Sequence, residues 1–127
     1  MLLFPVELKP GLPVAEQIIF YVKKAIVSGQ LKPGDKFPSI RQLSLELRIN
    51  PNTAHKVIAE LVTEGVLVTT PAVGSVVAER SLGDKKDRAA LLGSELEKLV
   101  VEAKNLGLAL DEVQSGIAAH WRRLGGK

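Results

Sequence analysis

The apolar residues of this chain recur with the period of an α-helix in several separate segments. The first segment runs from Val14 to Ser28 and is followed by Gly29, a residue type that often terminates helices. Its apolar face consists of Ile18, Ile19, Val22, Ala25 and Ile26. The pattern predicts one amphipathic helix, preceded by an irregular arm over the first dozen residues and followed by a loop with a turn at Pro33-Gly34.

Two further helix starts lie close together in "PSIRQLSLELRINPNTAHKVIAEL", residues 38–61. Ser39 can cap a helix while Gln42 bonds back to the Ser39 amide, and Asn50 can cap the next helix with Pro51 at its first position. The predicted buried residues are Ile40, Leu43, Leu47, Ala54, Val57, Ile58 and Leu61. The predicted exposed residues are Arg41, Gln42, Ser44, Glu46, Asn52, His55, Lys56, Ala59 and Thr63. This arrangement is a helix-turn-helix pattern.

A predicted β-hairpin follows the second of these helices, which ends at Gly65. "VLVTT" (residues 66–70) and "SVVAE" (residues 75–79) are rich in β-branched residues and are separated by the turn sequence "PAVG". A helix-turn-helix followed by a hairpin predicts a winged helix-turn-helix domain over residues 1–79. The predicted fold class is mostly α with a small β-hairpin (α+β).

Residues 80–127 have a different pattern, predicted to form a two-helix tail. After the charged segment "RSLGDKKDR", a linker or helix start, apolar residues recur at Leu92, Leu96, Leu99, Val100, Ala103 and Leu106. Beyond Gly107, Asp111 is predicted to cap a last helix with the apolar residues Val113, Ile117, Trp121 and Leu124. Two short helices make a poor independent core. The stripes therefore predict burial against a second subunit, which makes the tail a dimerisation element.

Composition narrows the possible functions. The 127 residues include no cysteine, so disulfides and thiolate zinc sites are excluded. No secretory signal and no apolar run of about 20 residues is present, so we expect a cytoplasmic protein without a membrane span, cofactor or metal. The net charge is +3, but residues 1–79 hold eight Lys/Arg against seven Asp/Glu. A nucleic-acid hypothesis therefore depends on pattern rather than on bulk charge.

Residues 12–77 closely resemble the DNA-binding domain of the GntR family of bacterial transcription regulators. The shared features are Pro13-Val14 before "EQI", "SGQLKPGDKFPSIRQLS", "INPNT", the helix end at Leu61 to Gly65, and Gly74 in the wing. The short tail resembles the YtrA-like branch, in which it serves for dimerisation. The resemblance implies double-stranded DNA and a second copy of the chain as partners, and it names no small-molecule effector.

The resemblance also implies a set of DNA-binding residues. Arg41 matches a family arginine that contacts DNA, Ser39 matches the serine that caps its helix near the DNA backbone, and the start of the second helix matches the recognition-helix start. The full set is Ser39, Arg41, Gln42, Arg48, Asn50, Asn52, Thr53, His55, Lys56 and Gly74. Two departures stand out, because the wing tip is uncharged where the branch is usually basic and Arg48 stands where glycine is frequent. A left-handed Arg48 would cost roughly 1 kcal/mol, which a phosphate contact could offset.

These observations predict a sequence-specific regulator, a dimeric repressor that binds an inverted-repeat operator. A helix start offers N–H groups and a positive dipole end to phosphate, and small side chains such as Asn52 and Thr53 allow close approach. The alternative is a winged-helix protein-interaction module that does not bind DNA, which the near-neutral first domain and the uncharged wing tip favour. An enzyme is a distant third hypothesis, because the sequence has no nucleophile-base or metal constellation.

Overall fold

The computed structural model describes residues 4–79 and 85–125, and each of these two ranges forms a compact unit of its own. The elements of the first unit are α1 (Val14–Val27), α2 (Ile40–Leu47), α3 (Pro51–Thr63), β1 (Leu67–Thr70) and β2 (Gly74–Val77). The elements of the second unit are α4 (Lys85–Ala90), a π-helical turn (Leu91–Glu95), α5 (Leu96–Asn105) and α6 (Leu110–Leu124). The predicted fold class, a winged helix-turn-helix followed by C-terminal helices, is confirmed.

The core of the first unit is built from aliphatic side chains of every element and from two phenylalanines. Its largest fully buried side chains are Phe37, Ile18, Leu31, Leu43, Leu61, Leu67, Val22 and Val57. Each helix supplies the apolar face that its spacing predicted, because burial of such a face is the main free-energy gain of folding. The exception is Ser44, which was expected to be exposed. It is buried, and its hydroxyl donates a 3.0 Å hydrogen bond to the Arg41 carbonyl, which satisfies the polar group.

The hairpin is antiparallel, with register from Leu67 opposite Val77 to Thr70 opposite Gly74. Its strands are shorter than the sequence pattern suggested. The loop before α2 pairs with the outer side of β2, where the Phe37 amide donates to the Ser75 carbonyl at 2.8 Å and the Val77 amide donates to the Asp35 carbonyl at 2.8 Å. This third, strand-like segment ties the wing to the helix-turn-helix and was not predicted from the sequence.

The N-terminal arm is irregular, as expected, but it packs against the domain. Phe4 is only 3% exposed and stacks on Phe37 with ring centroids 6.0 Å apart. Gln17 of α1 holds the arm by accepting a 2.7 Å hydrogen bond from the Lys9 amide and donating to the Lys9 and Leu12 carbonyls. The arm therefore completes the core on the side of Phe37.

The second unit is helical, but its details differ from the sequence prediction. A helix already begins at Lys85, and a π-helical turn separates it from α5. Asp111 was predicted to cap the last helix. Instead α6 begins at Leu110, and the Ala109 amide donates to the Glu112 carboxylate at 2.8 Å, so Asp111 lies in the first turn. An acidic side chain there still interacts favourably with the helix dipole.

Arg48 and Ala72 are the two non-glycine residues of the described ranges with positive φ, at 54° and 66°. A left-handed conformation costs a residue with a side chain about 1–2 kcal/mol, and glycine avoids this cost. Glycine also destabilises the folded state by about 0.5–1 kcal/mol, because it has more conformational entropy in the unfolded chain. We therefore expect Arg48→Gly and Ala72→Gly each to raise the free energy of unfolding by about 0.5–1 kcal/mol. Urea denaturation measures this change.

The matched control for these substitutions is Ser28→Gly. Ser28 has φ −84° at the end of α1, so glycine relieves no strain there and should lower stability. Equal effects of all three substitutions would contradict the assignment of strain to Arg48 and Ala72.

Candidate nucleic-acid interface

Helix α2 begins with the reciprocal cap that the sequence predicted. The Gln42 amide donates to Ser39 Oγ at 3.1 Å, and the Ser39 amide donates to Gln42 Oε1 at 3.0 Å. Both side chains are thus occupied in holding the helix start. The Ile40 and Arg41 amides find no acceptor in the described part of the chain, so they point to solvent at the positive end of the helix dipole.

The connection from α2 to α3 is short because Arg48 takes a left-handed conformation, with φ 54° and ψ 49°. The Ile49 amide then bonds to the Ser44 carbonyl at 3.1 Å, which closes the end of α2. Arg41, Leu45 and Arg48 are spaced i, i+4 and i+7, and all three are exposed. Arg41 and Leu45 therefore lie on one face of α2, and the exposed Arg48 follows at the end of the helix.

Leu45 is a member of this face that the sequence reasoning missed. Its side chain is 68% exposed although it lies in the apolar alternation of "LSLEL". The available signal was its position four residues after Arg41 on the same helix side. An exposed aliphatic side chain there can contact a thymine methyl group or a sugar, which the arginines cannot do as well.

The start of α3 is capped as predicted, and the cap changes what this helix can offer to a ligand. Asn50 Oδ1 accepts the Asn52 amide at 2.8 Å, and the Asn50 carbonyl accepts the Thr53 amide at 2.9 Å. Pro51 has no amide hydrogen. The N–H groups that the sequence expectation offered to phosphate are therefore already bonded within the cap. The side chains of α3 are therefore its remaining groups for contacts to DNA.

The side chains of α3 that face solvent match the predicted set. Asn52, His55 and Lys56 are exposed, while Thr53 is half-buried beside the core. Asn52 offers an amide with two donors and an acceptor, which can pair with adenine in the major groove. Lys56 offers a point charge to a phosphate. The structure thus brings Arg41, Arg48 and the first two turns of α3 into one contiguous helix-turn-helix unit.

The wing has no charge to contribute. Residues 65–78 include no Lys or Arg, and Pro71, Ala72 and Val73 at the tip are exposed. Gly74 has φ 99°, a conformation that a side chain would strain, so its role is to form the turn. The tip can make van der Waals contacts to a sugar or a groove floor, but it cannot neutralise phosphate.

Neither a metal centre nor a membrane span is found in residues 4–79 and 85–125. No group of three potential metal-ligating acidic, His or Cys side chains converges there. Within the same ranges, no helix combines the length and the apolar content that crossing a bilayer requires.

A three-helix core, a capped helix pair joined by a tight turn, and a hairpin wing define a winged helix-turn-helix protein. The sequence profile described as "Bacterial regulatory proteins, gntR family" matches residues 14–77. The chain belongs to this gntR family. It is a DNA-binding transcription regulator, and the expectation that it is not an enzyme agrees with the regulators that make up this family.

Relatives and solved structures extend the similarity beyond the winged domain. The HTH-type transcriptional repressor YtrA of Bacillus subtilis (strain 168) is 30% identical over 113 residues, which cover 88% of this chain and 87% of that protein. A crystal structure of a transcriptional antiterminator from Listeria monocytogenes EGD-e superposes with a TM-score of 0.85 at 28% identity, over 98% of this chain and 94% of that one. The expected resemblance to the YtrA-like branch is confirmed.

A third comparison concerns the winged domain alone. The DNA-binding domain of AraR, solved in complex with operator ORR3, matches with a TM-score of 0.50 at 27% identity, over 58% of this chain and 89% of that one. The AraR domain, which is similar to the winged domain of this chain, was thus crystallised in complex with an operator.

The capping geometry predicts different effects for two neighbouring asparagines. Asn50→Ala removes the acceptor of the Asn52 amide, so the free energy of unfolding should fall by about 1 kcal/mol. Asn52→Ala changes an exposed side chain without a structural hydrogen bond, so stability should stay within about 0.5 kcal/mol. Thermal or urea denaturation of both variants tests this. Equal losses would show that the Asn50 cap does not hold α3.

Proposed function

We propose that this chain is a dimeric repressor that binds an inverted-repeat operator in double-stranded DNA, with residues 1–79 as the DNA-binding domain and residues 80–127 as the dimerisation tail. The observation that carries the proposal is the exposed apolar surface of the tail. YtrA, a relative of similar length, is named a repressor. A regulator of a bacterial chromosome works in the cytoplasm, where we place this protein.

The tail exposes the residues that were predicted to be buried by a partner. Leu92 is 71% exposed and Leu106 is 72% exposed, and of residues 85–125 only Ala103 is buried. The other exposed members of the set are Leu96, Leu99, Val100, Ile117 and Trp121, with Val113 half-buried. Apolar surface removed from water contributes about 25 cal/mol per Å². A second copy of the tail would supply that burial, and two-fold pairing is the commonest way to do so.

DNA affinity also favours a dimer. The first unit is nearly neutral, and its helix-turn-helix face carries Arg41, Arg48 and Lys56 without help from the wing. With so few cations, a single domain would bind the phosphate backbone weakly. Two domains that read two half-sites on one face of the duplex would combine their contacts. An inverted repeat follows from the two-fold symmetry.

We assign roles within each half-site by side-chain chemistry. Arg41 contacts a guanine edge or a phosphate, and Arg48 and Lys56 contact phosphates. Asn52, Thr53 and His55 at the start of α3 contact bases or the backbone. Ser39, Gln42, Asn50 and Gly74 act by fixing the helix starts and the wing turn.

Selection of bound duplexes from random DNA tests this function directly. The proposal predicts an enriched inverted repeat with half-sites about one helical turn apart or a multiple of it. The uncharged wing tip favours the second candidate, a winged-helix protein-interaction module. Under that function, selection would enrich no sequence.

The first prediction concerns Arg41. On a selected duplex, Arg41→Ala should weaken binding by about 1–3 kcal/mol per contacted half-site and relax the preference at one base position. Arg41→Lys keeps the charge but loses bidentate geometry, so it should retain more affinity than alanine while still relaxing that preference. Fluorescence anisotropy with single-base variants of the duplex measures both effects.

The control is Lys24→Ala, which removes the same charge from α1. It should leave base preference unchanged and weaken binding much less than Arg41→Ala. If all three variants behave alike, Arg41 makes no specific contact.

The second prediction concerns the tail. Leu96→Asp combined with Leu99→Asp places two charges in the apolar stripe, which should convert the dimer to a monomer and abolish operator binding while the first unit stays folded. Val101→Asp is the matched control, because Val101 is exposed on the same helix but lies about 140° away from Leu96. Sedimentation at micromolar concentration is the measurement. A wild-type monomer, or a dimer that survives the double substitution, would contradict the proposed interface.

A further inference from the structure

Helix α6 has an apolar stripe that is symmetric about its midpoint. The helix spans Leu110–Leu124, so Ile117 lies at its centre. Val113 and Trp121 lie four residues to either side of Ile117, and Leu110 and Leu124 lie seven residues to either side. At about 100° per residue, all five side chains fall within about 40° of the direction of Ile117. The stripe therefore has the same layout when the helix is reversed.

The stripe is largely open to solvent in a single chain. Leu110 is 72% exposed, Trp121 is 64% exposed and Ile117 is 42% exposed, while Val113 and Leu124 are half-buried. A surface helix normally turns such a stripe towards a core. The second unit leaves this one accessible to another molecule.

The charges of α6 are also symmetric about the midpoint, with opposite signs. Asp111 and Glu112 lie in the first turn, and Arg122 and Arg123 lie in the last turn, at equal distances from Ile117. This distribution suits the dipole of α6 itself. These four side chains lie about 120–140° from the direction of Ile117, so the apolar stripe itself carries no charge.

We propose that two copies of α6 pair antiparallel across a two-fold axis that passes beside Ile117. The proposal rests on the proposed dimer and specifies its geometry. In an isologous contact every residue pair occurs twice, so the contacting surface must be complementary to its own reverse. On α6, Ile117 faces the partner's Ile117, Val113 faces the partner's Trp121, and Leu110 faces the partner's Leu124.

A parallel pairing is disfavoured by the same residues. It would align the dipoles of the two helices in the same direction, which is less favourable than the antiparallel arrangement. It would also set the bulky Trp121 against the partner's Trp121 and the small Val113 against the partner's Val113. The antiparallel arrangement instead matches a large side chain with a small one at both positions, which packs with fewer voids.

The absence of cysteine from the sequence makes disulfide trapping a clean test. Ile117→Cys should form a disulfide-linked dimer by itself under mild oxidation, because the residue lies beside its own copy. Val113→Cys alone should not, because its two copies lie about 12 Å apart along the axis, beyond the reach of a disulfide. A mixture of Val113→Cys and Trp121→Cys should give the mixed dimer. Leu110→Cys with Leu124→Cys supplies a second such pair if the tryptophan substitution weakens the dimer.

Ser115→Cys is the matched control, since Ser115 is exposed on α6 but lies about 160° from Ile117. Its crosslinking should be at least about tenfold slower than that of Ile117→Cys. Sedimentation of each reduced variant separates the two hypotheses. A dimer in which Ile117→Cys fails to crosslink, or in which every stripe position crosslinks to itself, overturns the antiparallel pairing and leaves the proposed dimer intact. A monomeric wild-type chain overturns both.

Discussion

The three-residue connection from Arg48 to Asn50 is the constraint on which the rest of the DNA-binding unit depends. It reverses the chain with one left-handed residue and then caps α3 with Asn50. Because the connection is so short, the buried faces of α2 and α3 must meet, through Leu43 on one side and Ala54 on the other. Arg41 in the first turn of α2 and Arg48 at its end are both exposed. Strain at Arg48 and amide capping at α3 are therefore features of a single turn.

The electrostatics of this unit explain why the proposed dimer would matter for DNA binding. Wings and helix starts commonly contribute charge or free amides to phosphate binding, but here the wing is uncharged and the α3 amides are bonded to Asn50. Affinity must then come from few side chains and from the start of α2, repeated in the proposed dimer. The exposed apolar surface of the tail suits such a repetition. In this account, apolar burial in the tail joins two subunits, and their combined contacts compensate for the weak Coulomb attraction of each first unit to DNA.

Much of the fold followed from local signals in the sequence. The caps at Ser39 and Asn50 and the hairpin turn depend on residues within four positions of each other, so spacing predicts them. The left-handed conformation of Arg48 was raised only by the family resemblance, which often has glycine at that position. Long-range contacts did not follow: the stacking of Phe4 on Phe37 and the pairing of residues 34–37 with β2 join segments that no short pattern connects. For the site, the sequence indicated the arginines and the start of α3. It missed Leu45, whose exposure depends on how α2 packs, and it could not show that the α3 amides are already used.

The central claim is that a dimer binds DNA through a small set of cations on two helix-turn-helix units. The most direct test is the salt dependence of affinity and the stoichiometry of the intact chain on a selected duplex. If Arg48 and Lys56 of two subunits each neutralise one phosphate while Arg41 reads a base, log K should fall against log salt with a slope of about −3.6, at two chains per duplex. One chain per duplex, or an affinity that does not change with salt, would contradict the account.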